Sequence, residues 1–182
     1  MNLPFYTIGH STRTLEEFVN LLRTVQVELV ADIRTVPRSR TNPQYNQDTL
    51  PGRLAAFGID YEYITQLGGL RGKSKTVLPD VNGFWENQSF HNYADYALSD
   101  TFQEGLNKLI ELGRTRRCVM MCAEAVWWRC HRRIVSDYLL ARSETVFHLM
   151  GHSRAEAAHL TEGAQIQSSC TITYPSQNAP VS

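Results

Sequence analysis

Short apolar runs of strand length alternate along the chain with longer stretches in which apolar residues recur at helical spacing. Phe5-Tyr6-Thr7-Ile8 reads as a first strand, ended by Gly9-His10-Ser11. Thr14, with Glu17 three residues on, forms a capping box. Leu15, Phe18, Val19, Leu22 and Val25 give the helix that follows a single apolar face. Glu28 to Arg34 reads as a second strand, with Asp32 and Arg34 at its carboxyl end. The segment Thr35 to Tyr45 holds Pro37, Pro43, Arg38 and Arg40, and is neither regular helix nor central strand. A short helix over Asp48 to Phe57, closed by Gly58, and a third strand over Tyr61 to Ile64 come next. Gly68 to Lys75 sets three glycines among three cations without the spacing of a Walker loop. It reads either as a solvated loop or as a cradle for phosphate. A helix is expected over His91 to Leu98. Asp100 with Gln103 caps another, which buries Phe102, Leu106, Leu109 and Ile110 and ends at Gly113.

The most informative stretch is Arg117 to Arg133. Cys118-Val119-Met120-Met121-Cys122 is unbroken apolar sequence bounded by charge, as in a strand buried on both faces. Ile134, Val135, Tyr138 and Leu139 then recur at helical spacing, so a loop carries Glu124 and a helix begins near Trp127. Thr145 to Met150 is a fifth strand, ended by Gly151-His152-Ser153. Ser153 with Glu156 is expected to cap a short helix through Leu160. This alternation predicts one α/β domain over residues 1–162, with a mostly parallel sheet and flanking helices. Residues 163–182 read as a polar tail, partly disordered, with one edge strand at Thr171 to Tyr174.

On that topology the chemically able residues converge. His10 and Ser11 follow the first strand, Asp32 and Arg34 close the second, Cys122 and Glu124 close the fourth, and His152 follows the fifth. In a parallel sheet these share one edge, and ligands bind outside the carboxyl ends of such strands. Cys130, His131 and Arg132 fall in the first turn of the next helix, where free N–H groups and the dipole favour anions.

Composition narrows the picture. A chain of 182 residues suits one core, and a net charge of zero argues against general adhesion to nucleic acid or to an acidic membrane. Only Lys73, Lys75 and Lys108 are lysines, so nearly all cations are arginines, which suit bidentate recognition of carboxylate or phosphate. No apolar run reaches the roughly 18–20 residues of a membrane span. The N-terminal residues do not read as a signal segment, and the four cysteines do not spread as a disulfide frame, so free thiols in the cytoplasm are expected.

Several groups of residues together resemble the family catalogued as domain of unknown function 488. They are Thr7-Ile8-Gly9-His10-Ser11, Asp32-Ile33-Arg34 with Pro37 and Ser39, Leu67-Gly68-Gly69 with Arg71, and Cys122-Ala123-Glu124 followed by Cys130-His131-Arg132. The resemblance implies an α/β domain with a cluster of polar residues and brings no activity with it. In that family a proline often precedes the second cysteine. Here Val126-Trp127-Trp128 occupies the stretch, so a differently shaped loop is expected.

The residues favour an enzyme or ligand-binding domain for an anionic, phosphate-bearing or nucleotide substrate. Cys122 or Glu124 would be the reactive group and His10 would assist proton transfer. Arg34, Arg132 and Arg71 would hold the anion, and Ser11, Asp32, Cys130, His131 and His152 would complete the binding set. Alternatives stay open: Cys122 as a buried small hydrophobe, the charges as a structural network, or a nucleic-acid module using Arg38, Arg40, Lys73 and Lys75 with the tryptophans. No metal set is assigned, because Cys122, Cys130, His131, His10 and His152 lack the spacing of a CxxC pair or HExxH. The sequence names no cofactor and no oligomeric state.

Overall fold

The fold is described from a computed structural model, over residues 2–151 and 154–177. Five parallel strands form the body of one sheet: β1 (Phe5–Gly9), β2 (Leu29–Asp32), β3 (Asp60–Tyr63), β4 (Cys118–Cys122) and β5 (Val146–Leu149). A two-residue strand, Glu156–Ala157, adds antiparallel to the outer edge of β5. The order across the sheet is β3, β2, β4, β1, β5 and then this edge strand, β6. The helices are α1 (Leu15–Thr24), α2 (Leu50–Ala55), α3 (Gln88–Tyr96), α4 (Asp100–Thr115) and α5 (Arg132–Ala141). The sequence reading of an α/β domain with a mostly parallel sheet and flanking helices is therefore what the chain forms.

The order explains where the helices go. From β1 through β2 to β3 the chain moves one way along the sheet, and from β3 through β4 to β5 it moves back. Right-handed crossovers in opposite directions place their helices on opposite faces. Accordingly α1 and α2 bury Phe18, Leu22, Leu50 and Leu54 with Val119 and Met121 on one face. Helices α3 to α5 bury Tyr93, Phe102, Leu106 and Tyr138 with Cys118 and Met120 on the other. The alternation within β4 is the period-2 signature of a strand covered on both sides. Between β1 and β4 the outgoing connections leave for opposite faces, and this opens a crevice at their carboxyl ends.

Local chemistry sets several boundaries. Thr14 caps α1, its Oγ1 accepting the Glu17 N–H at 3.1 Å. The cap of α4 is Ser99 and not Asp100, because Ser99 has extended backbone and its Oγ accepts the Phe102 N–H at 3.3 Å. Asp100 instead lies in the first turn, where its charge favours the dipole. The helix expected through Leu160 does not form. The unpaired edge of β5 takes up Glu156–Ala157 as β6, with the Ala158 N–H donating to Val146 O at 2.8 Å. The strand expected in the tail forms at Ile172–Thr173 (β8) and pairs with Gln165–Ile166 (β7) in a separate two-stranded sheet. Ile172 and Tyr174 are fully buried there. The Tyr174 hydroxyl donates to Asp137 of α5 at 2.8 Å, and burial raises the Asp137 carboxyl above its ordinary range. Among the described residues no helix is long and apolar enough to cross a membrane.

Candidate functional site

Main-chain bonds carry the β1–β4 pairing past the strand ends, at the base of the crevice. The His10 N–H donates to Cys122 O at 2.9 Å and the Ser11 N–H to Ala123 O at 3.0 Å. Ser11 sits in the left-handed region at φ 48°. The loop after Cys122 then crosses directly over Gly9. A β-carbon on Gly9 would stand 1.7 Å from the Glu124 carbonyl oxygen, so only glycine fits. Gly69 does the same service on the other side, where a β-carbon would meet the His131 ring at 2.4 Å.

A cavity of about 730 Å³ opens here, lined from the ends of β1, β2, β3 and β4 and from the first turn of α3. Of the residues singled out in the sequence, it gathers His10, Ser11, Arg34, Cys122, Glu124, Cys130 and His131. Asp32, Arg132 and Arg71 are not on its wall, and His152 lies outside the described residues. Arg38, Ser39, Thr41 and Asn42, from the loop after β2, and Arg129 also line it. On sequence Arg38 belongs to the nucleic-acid alternative, and the structure places it on this wall instead. The density of Ser, Thr, Asn and Arg after a strand's carboxyl end was the available signal.

One wall is a closed polar unit. Asp32 is fully buried, and Arg34 grips both its oxygens, Nε to Oδ1 at 2.9 Å and Nη2 to Oδ2 at 2.7 Å. The same Nη2 donates to Tyr45 O at 2.7 Å, the Tyr61 hydroxyl donates to Asp32, and Arg34 Nη1 faces His10 Nε2 at 3.3 Å. His10 donates from Nδ1 to Ser11 O at 2.9 Å, which leaves Nε2 as the acceptor for Arg34. Burial, with the Arg34 and Arg13 charges adding to it, brings the imidazole down to about 4. It also stacks on Tyr45 with ring centres 4.2 Å apart. A neutral histidine with both nitrogens engaged orients the wall.

The opposite wall carries two thiols. Cys122 ends β4 and Cys130 immediately precedes His131, the residue that caps α5. The helix thus begins at Arg132 and not near Trp127, because residues 127–129 form a separate 3₁₀ turn. The Arg132 N–H donates to Cys130 Sγ at 3.4 Å, and His131 Nδ1 stands 3.5 Å from the same sulfur. His131 Nε2 donates to Ile33 O at 2.8 Å, which fixes the tautomer and leaves Nδ1 free of a proton. Burial and the neighbouring Cys130 push the Cys122 thiol well up. Burial opposes ionisation of Cys130 too. The contact with Cys122, the Arg132 charge and the Arg132 N–H outweigh it and bring Cys130 below the ordinary thiol range.

Arg132 is fully buried beneath the loop. Its Nη1 donates to Cys122 Sγ and to Glu124 O, each at 2.7 Å, and its Nη2 donates to Ala125 O at 3.1 Å. Its Nε has no partner, and no carboxylate pairs with it among the described residues. It is a clamp on the loop and not a wall of the cavity. The Glu124 carboxylate pairs with neither Arg34 nor Arg132 and is exposed. Arg71 turns away: it donates to Gly68 O and Thr65 O and lies over the Tyr96 ring at 3.7 Å. Trp127 stacks on His148 with ring centres 4.6 Å apart, and neither tryptophan lines the cavity. Among the described residues no group of three or more His, Cys, Asp or Glu is arranged to hold a metal ion.

The family model for Domain of unknown function DUF488 matches residues 14–139, so the chain belongs to that family. That span includes β2 to β4 and the start of α5, and hence most of the cavity wall. Comparison with curated proteins and with solved structures gave no match.

Proposed function

We propose that this cavity is the active site of an enzyme that takes an anionic, phosphate-bearing small molecule. The observation that carries the reading is the pairing of two arginines with two thiols on one wall system. Arg38 and Arg129 line the same space as Cys122 and Cys130, and among the described residues neither arginine is in an ion pair. Guanidinium forks suit phosphate oxygens. The volume of about 730 Å³ is in the range of small-molecule sites. Val36 and Leu70, 60% and 78% exposed, stand on its rim and give it an apolar edge, as a nucleotide-sized ligand would use. Free thiols suit such an enzyme to the reducing cytoplasm.

Calorimetric titration with inorganic phosphate and with a nucleoside monophosphate, at low salt, tests this. A charge-assisted hydrogen bond contributes about 1.5–3 kcal/mol, so Arg38→Ala and Arg129→Ala should each weaken binding by roughly 10- to 150-fold. No binding to the wild type, or affinity unchanged in both variants, would remove the reading.

A further inference from the structure

We infer that Cys130, and not Cys122, is the nucleophile of this site, with His131 as its base. The inference rests on the cavity being an active site, and it deepens that reading by naming the reacting atom. Two arrangements converge on the Cys130 sulfur, and a third lies beside it. It lies on the cavity wall at the N-terminus of α5, a ten-residue helix, and accepts the Arg132 N–H at 3.4 Å. His131 Nδ1 stands 3.5 Å away, unprotonated because Nε2–H is committed to Ile33 O. That is the sequence of nucleophile, base and orienting group that activates a thiol. The base is held in place from both sides, by Gly69 against its ring and by Tyr93 edge-on at 5.0 Å.

The third arrangement is independent of the dyad. Arg132 is a fully buried cation with an unpartnered Nε and no carboxylate partner among the described residues. A buried charge without a counter-charge is costly. Its guanidinium donates to Cys122 Sγ at 2.7 Å, and Cys122 is in contact with Cys130, so the available anion is a thiolate of this pair. Cys122 takes the direct Nη1 bond, whereas Cys130 also has the helix N–H and the histidine. For the thiols the electrostatic direction agrees, with Cys130 lowered and Cys122 raised, while burial lowers His131 as well.

The chemistry balances simply. The Cys130 S–H proton passes to His131 Nδ1, and the sulfur pair attacks an electrophilic carbon of the anionic substrate. An S–C bond forms as the bond to the leaving group breaks, and the leaving group departs with that electron pair. The proton on His131 is then available to it.

Alkylation of the folded wild-type protein at pH 7 tests the assignment, with iodoacetamide and iodoacetate in parallel and peptide mapping by mass spectrometry. In each case the S–C bond forms and iodide leaves. Half-buried Cys170, outside the cavity, is the internal reference, and Cys118, inside β4, should stay unmodified. Thiolate fraction rises about tenfold for each unit by which a thiol pKa falls. Cys130 should therefore react faster than Cys170 with iodoacetamide. Modification of Cys122 ahead of Cys130, or of neither ahead of Cys170, overturns the inference. Iodoacetate separates it from the anion reading. A Cys130-to-Cys170 rate ratio higher with iodoacetate than with iodoacetamide supports both. A ratio no higher removes the anion reading while Cys130 stands as nucleophile. His131→Gln, which retains a donor for Ile33 O, should slow Cys130 and leave Cys170 unchanged, and an unchanged Cys130 rate removes the histidine's role.

Discussion

Gly9→Ala is the smallest change that should break the site. The new β-carbon would lie 1.7 Å from the Glu124 carbonyl oxygen and 2.8 Å from Arg132 Nη1. An ordinary contact needs about 3.4 Å or more, so the loop must retreat by more than an ångström. It cannot retreat freely, because Arg132 Nη1 holds Glu124 O at 2.7 Å and Nη2 holds Ala125 O at 3.1 Å. Nor can Gly9 give way, since it is in register with Cys122 in the centre of the sheet. Overpacking costs roughly 1–3 kcal/mol, and a backbone obstacle puts this case near 3 kcal/mol. For a chain of this size that corresponds to a fall in Tm of about 6–12 °C. Gly52→Ala is the matched control. A β-carbon there meets nothing within 4 Å and lies inside α2, so it should stabilise by about 0.4–1 kcal/mol. Urea and thermal unfolding of both variants check the pair, and phosphate titration should show the loss of binding in Gly9→Ala alone. A Gly9→Ala protein as stable as the wild type would refute the crossing of the loop over β1.

Tyr174→Phe removes the 2.8 Å hydrogen bond to Asp137 and should cost about 1.5–3 kcal/mol by urea unfolding; an unchanged midpoint would mean that the C-terminal segment does not brace α5. His10 and His148 are held by burial near 4 and 3, below the ordinary 6.5. The unfolded chain therefore binds more protons between those values and 6.5, so their contribution to stability is complete above 6.5 and declines as pH falls towards 4. In an NMR titration both rings should stay neutral at pH 5, and a midpoint near 6.5 for either contradicts the burial argument. Binding to single- or double-stranded DNA or RNA should be negligible at low salt, since net charge is zero; a steep fall of affinity with salt would reopen that alternative.

Much of the fold was legible because its signals are local. The run Cys118 to Cys122 is the strand β4 at both ends, and Thr14 with Glu17 marks the start of α1. Placing the site at the strands' carboxyl ends needed only the alternation of elements, and seven of the residues named from sequence meet in one cavity. The direction of side chains was not legible. Arg132 and Arg71 were assigned to an anion on residue type, but Arg132 is drawn under the loop by Glu124 O and Ala125 O, and Arg71 is drawn to Gly68 O and Tyr96. Main-chain acceptors of this kind leave no mark in sequence. The 3₁₀ turn at 127–129 shifted the start of α5 from Trp127 to Arg132, and with it the N–H groups that reach Cys130. Glu156 became strand because a neighbouring strand edge needed pairing, which overrode a local capping pattern.

Locating a heavy anion in crystals of the wild-type protein tests the central claim most directly. Crystals soaked in tungstate or selenate, with the anion found from its anomalous scattering, should show it inside the cavity, against Arg38 or Arg129 beside the start of α5. A cavity without an anion, while the same soak labels arginines elsewhere on the surface, would contradict an anion-binding active site at the β1–β4 crevice.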